Sequence, residues 1–250
     1  MIPSSGIELD YPRVEEIYAR FSRLAALGTG PGGLLLLYKN LDSAGLATVM
    51  AANVAGIVSL GIESDAAVVR KAMRAGVCDF VVNSLDEALR ILKNEVRQLR
   101  TVSVVLTEEV NAAVTEIVAR GVQPDVLAFA LSPLIERGAK LLSIDAGEAA
   151  DGMLAVTWEV QREPARWLLK LDRLAAEAVA GKGGDRDARV KWLEASPRYL
   201  SRNYAGQRYL RMKSDESDRF LAAVQASVDA GEIQVAVQVR CDGAAHFFES

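Results

Sequence analysis

A regular alternation of short apolar runs and helix-like segments between Gly33 and Ala130 constrains the fold of this chain more than any other feature. Five apolar runs predict strands at Leu34–Tyr38, Ile57–Leu60, Val77–Val82, Val102–Leu106 and Val126–Ala130. Continuous apolar strands that alternate with helices are typical of a parallel sheet covered on both faces. The sequence therefore predicts an α/β fold with a doubly wound, mostly parallel sheet that is Rossmann-like.

Capping signals support the helical parts of this alternation. Ser84 and Glu87 form a capping box, in which the serine caps the helix and the glutamate follows three residues later. Asp42 or Ser43 is predicted to cap the first helix after a strand. In the next helix, the residues predicted to face inward are Val68, Val69 and Met73.

A glycine-rich segment, Gly28–Gly33, matches the G-x-G-x-x-G pattern of dinucleotide-binding loops. Such a loop follows a strand and opens a helix, whereas this segment precedes the first predicted strand. The segment is therefore predicted to be a turn that leads into that strand. Together with a short amphipathic helix before it, it makes up a predicted N-terminal region, residues 1–32.

The alternation ends after Pro133, which predicts a domain at 33–145 and a second module at 146–250. The second module is predicted to be smaller and mainly helical, of the α+β type. Its predicted parts are a helix from Pro164, a link at Gly181–Asp185, a basic and aromatic helical stretch at Arg186–Lys213, a helix near Ser217–Ala230 and a strand at Ile233–Val239.

Composition is that of a cytoplasmic globular protein. Half of the residues are hydrophobic, and the net charge of −4 gives no general attraction to nucleic acids or anionic membranes. Cys78 and Cys241 have neither disulfide nor metal-ligand spacing, and Cys78 is predicted to be an inert buried thiol. His246 is the only histidine, so no metal site is predicted. We expect a cytoplasmic location, since a secretory signal and a membrane-spanning run are both lacking.

Several segments, taken in order, resemble urocanase (urocanate hydratase). Ala51–Glu63 contains a small-residue helix and then a strand that ends in Ser-Leu-Gly-Ile-Glu, as in that family. Asn83–Leu89 is similar to its Leu-Asp-[Asp/Glu]-Ala-Leu helix start, and Ala119–Val126 resembles its Arg-Gly-Val-x-Pro-Asp segment. The resemblance covers residues 33–130 and thus only the family's central NAD-binding domain. It implies a Rossmann-like fold, a homodimer, and the activity of an NAD-dependent lyase that adds water to urocanate and uses tightly bound NAD as an electrophile.

Two departures from the family pattern bear on activity. The glycine-rich loop of the family is replaced by Tyr38–Gly45, in which one glycine remains. A pyrophosphate approaches a helix N-terminus closely only where glycines permit it, and Asp42 would repel its charge. The polar segment that follows Pro-Asp in the family is replaced by the nearly apolar Leu127–Pro133. The sequence therefore predicts no hydratase activity, leaves the cofactor open, and assigns no catalytic residue.

Open α/β sheets bind ligands at the carboxyl ends of their strands, so we expect a pocket there, near the first and fourth crossovers. Glu63 ends the second strand and is a candidate for binding a ribose hydroxyl pair; the alternative is a solvated acid beside a helix N-terminus. The predicted contacts to a nucleotide or related small ligand are Asn40, Ser43, Gly45, Glu63, Asn83, Thr107 and Ser132.

Two other functions are compatible with the sequence. One is a lyase-type enzyme with an altered NAD site that gains its chemistry from the second module. The other is a non-catalytic interaction protein whose basic and aromatic surface at 186–213 binds an acidic partner. The alternative for that stretch, which we favour, is that the aromatic side chains pack inward and the arginines are solvated. Nucleic-acid binding is not predicted, because the chain is acidic and lacks a nucleic-acid motif.

Overall fold

The computed structural model describes residues 9–27, 33–143, 152–179, 184–204 and 206–249. The chain divides into two compact units, Met1–Ile144 (unit 1) and Asp145–Ser250 (unit 2). The predicted Gly28–Gly33 turn lies outside the described residues except for Gly33, and so do the first three residues of the predicted Gly181–Asp185 link.

Unit 1 contains a parallel sheet, which confirms the predicted α/β class. Its described strands are β1 (Leu35–Lys39), β2 (Val58–Ile62), β3 (Phe80–Val82), β4 (Ser103–Leu106), β5 (Val126–Leu127) and β6 (Lys140–Leu141). They lie in the order β3-β4-β2-β1-β5-β6, and every described pairing is parallel. Strands β2, β3 and β4 lie on one side of β1, whereas β5 and β6 lie on its other side. The topological switch point is therefore between β1 and β5.

Helices cover both faces of this sheet. They are α1 (Val14–Ala25), α2 (Ser43–Ala55), α3 (Ala66–Arg74), α4 (Leu85–Arg97), α5 (Val110–Ala119) and the short α6 (Ser132–Ile135). Helix α2 has no charged residue and is buried from Gly45 to Ala55, because α1 covers the side that the sheet does not. On the other face, α4 and α5 bury only one stripe each, as their amphipathic patterns predict.

Local capping shortens the third predicted strand. Gly76 has a left-handed conformation (φ 72°), and the N–H of Val77 donates to the carbonyl of Ala72, which ends α3. The side chain of Asp79 then accepts from the N–H and the hydroxyl of Ser103, at 2.8 and 2.9 Å. Regular pairing therefore begins only at Phe80.

The prediction that Met73 faces inward is wrong, because its side chain is 49% exposed. Helix α3 is short, and within its span only Val69 and Ala72 are buried. Met73 is adjacent to Ala72 in the sequence, and a residue one position along a helix lies about 100° away around the axis.

Unit 2 is an antiparallel sheet with helices. Its elements are β7 (Met153–Val160), α7 (Pro164–Ala178), α8 (Gly184–Leu200), β8 (Gln207–Lys213), α9 (Ser214–Asp229), β9 (Val237–Cys241) and β10 (Ala244–Phe248). The strand order is β10-β9-β7-β8. Trp158 on β7 is fully buried against Phe220 of α9, with their ring centroids 5.1 Å apart.

The structure corrects two predictions in unit 2. Arg186–Lys213 is not one helical stretch, because helix α8 ends at Leu200 and Gln207–Lys213 is a strand paired with β7. The predicted strand Ile233–Val239 begins instead at Val237 and continues to Cys241, where a two-residue turn leads into β10. The first error arises because alternating basic and apolar residues fit either a helix or a half-exposed strand. Within the described residues, no helix is long and apolar enough to cross a membrane.

Candidate functional site

The predicted contact residues all follow strand ends at the carboxyl edge of the unit 1 sheet, but they do not form one cluster. Asn83 follows β3 and Thr107 follows β4, and these strands are neighbours at one side of the sheet. Ser132 follows β5 on the far side of β1. Neighbouring strands lie about 4.8 Å apart, so β3 and β5 are about 19 Å apart at this edge. Asn40, Ser43, Gly45 and Glu63 lie between them, at the ends of β1 and β2.

The turn between β1 and α2 is occupied by its own polar groups. Asn40 has a left-handed conformation (φ 59°), and its N–H donates to the carbonyl of Ile62 at 2.8 Å. Asp42 caps α2, since its Oδ1 accepts from the N–H of Gly45 at 2.9 Å. A carboxylate therefore lies at the N-terminus of α2, the position where a dinucleotide-binding domain holds pyrophosphate.

Gly45, the one glycine that remains in this turn, is required by the turn itself. A Cβ atom on Gly45 would lie 1.9 Å from the carbonyl oxygen of Asn40, a distance that no side chain permits. In a dinucleotide site, a glycine allows the backbone to approach the phosphates. Here the absence of a side chain on Gly45 instead allows the carbonyl oxygen of Asn40 to lie close to it.

Glu63 joins this turn to the next helix. Glu63 is 9% exposed, and its two carboxylate oxygens accept from the N–H groups of Leu41 and Asp65, each at 2.8 Å. Asp65 in turn caps α3 through the N–H of Ala67 at 2.7 Å. The structure thus gives Glu63 a positioning role within the edge, and its contact with a ribose stays a prediction.

The carboxyl edge is rich in acidic groups. The acids in or next to the loops that follow β1 to β4 are Asp42, Glu63, Asp65, Asp86, Glu87, Glu108 and Glu109. Asp86 pairs with Arg120 of α5, whose guanidinium lowers the pKa of that carboxyl. A polyanion such as a dinucleotide would meet repulsion along most of this edge.

The switch point between β1 and β5 differs from this acidic edge, because a basic and an aromatic side chain meet there. The Lys39 ammonium lies 5.1 Å from the ring centroid of Phe129, a cation–π contact between the ends of β1 and β5. Phe129 is partly buried against the core of the α4 and α5 face, whereas Lys39 and Asn40 are exposed. The sequence analysis did not select Lys39 or Phe129 as contact residues. Their positions at strand ends were a signal for them, because Lys39 ends β1 and Phe129 follows β5 at the switch point.

The pockets lined by described residues include one in each unit, and the pocket expected at the carboxyl edge of the unit 1 sheet stays a prediction. In unit 1 a pocket of about 310 Å³ lies at the amino edge of the sheet, lined by Leu34, Asp125, Arg137 and Lys140 among others. Asp125 there accepts from the N–H of Leu35 at 2.8 Å, so it positions the start of β1. In unit 2 a pocket of about 540 Å³ lies at the start of α7 and includes Arg162 and Trp167.

The basic and aromatic stretch 186–213 packs largely inward. Trp192 and Tyr209 are buried, and the Trp192 indole N–H donates to the carbonyl of Tyr209 at 2.7 Å. The expectation that the arginines are solvated is wrong for two of them, which are internal: Arg189 pairs with Glu216 at 2.5 Å, and Arg208 pairs with Asp172 at 3.1 Å. Burial raises the pKa of Asp172, and the Arg208 guanidinium opposes that rise. Binding of an acidic partner by this stretch stays a prediction.

Reactive side chains elsewhere offer little chemistry. Burial raises the pKa of the Cys78 thiol to about 12, so it is protonated at neutral pH and a poor nucleophile. His246 is exposed on β10. Among the residues that the structure describes, no group of three His, Cys, Asp or Glu side chains is arranged to hold a metal ion.

Comparison with known families agrees with the sequence resemblance. Residues 19–132 match the family model described as the Urocanase Rossmann-like domain. The match begins within α1, ends at the start of α6 and includes the β1–α2 turn and the switch point.

Proposed function

We propose that this chain, which carries a urocanase Rossmann-like domain at residues 19–132, binds a nucleotide or related small ligand through its nucleoside part and does not hydrate urocanate. The proposed site is the switch point between β1 and β5. One observation carries the proposal: the N-terminus of α2 is filled by the chain, while an aromatic ring and polar groups remain beside it.

The filled turn argues against a pyrophosphate. A dinucleotide bound in the usual way would have to displace the Asp42 carboxylate and the Asn40 carbonyl, both held by hydrogen bonds or close contact. It would also bring two negative charges towards an acidic edge. A nucleoside carries no such charge and needs only stacking and a few hydrogen bonds.

The switch point supplies those interactions. A base would stack on the Phe129 ring in place of the Lys39 ammonium, a contact worth about 1–3 kcal/mol in other proteins. The ammonium and the exposed Asn40 and Ser132 side chains would then serve as hydrogen-bonding groups for the base or sugar. Leu127–Pro133 begins at the end of β5 and is nearly apolar where the family has a polar cofactor and substrate segment, which supports the absence of hydratase chemistry.

Thermal-shift titrations of the full chain with adenosine, AMP and NAD test this proposal, together with mass spectrometry of molecules released on denaturation. We expect adenosine to raise the melting temperature, with no greater stabilisation by AMP or NAD, because both carry phosphate charge. Phe129→Ala should abolish the shift, and Phe80→Ala, which removes a 45% exposed ring at the start of β3, should not.

Three results would overturn the proposal. The first is stoichiometric NAD released from the purified chain, or tighter binding of NAD than of adenosine, which would favour the enzyme with an altered NAD site. The second is loss of urocanate absorbance on incubation with the chain and NAD. The third is the absence of a shift with all three ligands.

A further inference from the structure

The pocket of about 540 Å³ in unit 2 lies where β7 ends and α7 begins. Its wall also includes the loop that leads into β9 and Glu249, which follows β10. All of its lining residues belong to unit 2, and none of them is among the seven contacts predicted for a nucleotide. Small-molecule sites have volumes of about 300–1,000 Å³. This cavity is therefore large enough for a ligand of its own.

Two of the four charged side chains that line this cavity are already engaged with each other. The Nη1 atom of Arg166 lies 3.2 Å from Oε2 of Glu163, and the same guanidinium lies 4.4 Å from the ring centroid of Trp167. This group forms one side of the cavity and leaves little charge there for a ligand.

The other two charged side chains of the lining, Arg162 and Glu249, are unpaired. Neither forms an ion pair or a side-chain hydrogen bond with another residue in the part of the chain that the structure describes. The charged atoms of an ion pair lie within about 4 Å of each other, so this guanidinium and this carboxylate are farther apart than that. The wall of one cavity thus presents a free cation and a free anion with space between them.

We propose that this cavity binds a ligand that carries both a free ammonium and a free carboxylate, namely an α-amino acid or a dipeptide. The Arg162 guanidinium binds the carboxylate, to which its planar set of N–H donors is suited. The Glu249 carboxylate accepts hydrogen bonds from the ammonium. An apolar side chain of the ligand packs against Val235 and Ala236 of the same wall.

The balance of charge selects a zwitterion over a simple anion or cation. Two arginines and two glutamates line the cavity, so its described wall is neutral. An anion would pair with Arg162 and be repelled by Glu249, and a cation would meet the reverse. A zwitterion satisfies both groups and leaves no charge unpaired. Because Arg162 and Glu249 are exposed, water and salt screen these contacts, and we expect weak binding.

Calorimetric titration of the full chain with L-leucine and with L-leucyl-L-leucine tests the ligand class. The tighter of these two zwitterions identifies either the free amino acid or the dipeptide as the ligand. L-leucinamide lacks the carboxylate and N-acetyl-L-leucine lacks the ammonium, so each should bind at least about threefold more weakly than L-leucine.

Variants of the two unpaired residues test the roles assigned to them. Arg162→Gln should weaken binding of L-leucine but not of L-leucinamide, which lacks the group that Arg162 binds. Glu249→Gln should weaken binding of L-leucine but not of N-acetyl-L-leucine. Arg173→Gln removes an exposed arginine of α7 that does not line the cavity and should change none of these affinities. Circular dichroism checks that each variant is folded.

Three results would overturn this proposal without bearing on the nucleoside site of unit 1. The first is the absence of saturable binding of both zwitterions at millimolar concentration. The second is binding of L-leucinamide or N-acetyl-L-leucine as tight as that of L-leucine. The third is an unchanged affinity for L-leucine in both Arg162→Gln and Glu249→Gln.

Discussion

At the scale of single residues, Gly45 shows how one missing side chain sets the character of a site. The carbonyl oxygen of Asn40 occupies the place where a Cβ atom would be. Asp42 supplies the negative charge that the N-terminus of α2 would otherwise attract from a ligand. The turn is therefore complete without a bound phosphate.

Replacing Gly45 with alanine should destabilise unit 1. We expect a loss of about 1–3 kcal/mol from overpacking, only partly offset by the better helix propensity of alanine. Denaturant unfolding followed by far-UV circular dichroism measures this loss. Ala44→Ser changes an exposed neighbour in the same turn and should have an effect within about 0.5 kcal/mol. Unchanged stability in Gly45→Ala would mean that the close approach of Asn40 is not required.

At the scale of elements, two carboxylates, the buried Glu63 and the exposed Asp125, join segments that are distant in sequence. Glu63 ties the end of β2 to the β1–α2 turn and to the start of α3 through two backbone N–H groups. At the opposite edge, Asp125 ties the start of β5 to the start of β1. Residues in the segments that resemble urocanase thus have structural roles in positioning the ends of these strands.

The variant Glu63→Gln separates the charge of this side chain from its shape. An amide has one accepting oxygen, so its NH₂ group would face the N–H of either Leu41 or Asp65 and leave that donor buried and unpaired. We expect a loss of about 1.5–3 kcal/mol. Hydrogen exchange at Leu41 and Asp65 should accelerate. Glu136→Gln makes the same chemical change at an exposed position and should not affect these amides; protection that is retained in Glu63→Gln would contradict the positioning role.

At the scale of the whole molecule, the two units are stabilised differently. The core of unit 1 is mainly apolar. Unit 2 contains a buried ion pair, Arg189–Glu216, whose side chains are 3% and 1% exposed. Glu216 also accepts from the N–H of Lys213 and so begins α9. All three tryptophans, Trp158, Trp167 and Trp192, lie in unit 2.

Breaking this ion pair from one side should destabilise unit 2 more than removing both charges. Glu216→Leu leaves a buried guanidinium and should lower stability by about 3–5 kcal/mol, whereas Arg189→Met with Glu216→Leu should recover much of that loss. Tryptophan fluorescence during denaturant unfolding reports on unit 2 selectively. A double variant as unstable as the single one would show that the pair contributes through its hydrogen bonds to the backbone.

Much of the fold could be predicted because the signals are local. The strand runs, the cap at Asp42 and the capping serine at Ser84 depend on neighbours within a few residues, and the structure contains all of them. Arg186–Lys213 was predicted wrongly because its pattern fits two periodicities, and only pairing with β7 makes Gln207–Lys213 a strand. The seven predicted contact residues lie at the carboxyl edge of the sheet because each follows a strand end, but their spread across five strands depends on strand order.

The amino-acid sequence by itself determined the parallel sheet, the helix starts and the urocanase resemblance, since apolar periodicity and short motifs act over short distances along the chain. Only the tertiary structure decided that Asn40 fills the space beside Gly45, that Glu63 serves the backbone, and that Lys39 meets Phe129. It alone decided that β10 is an outer strand. These contacts join residues that are set side by side by strand order and chain reversal, which local sequence patterns do not encode.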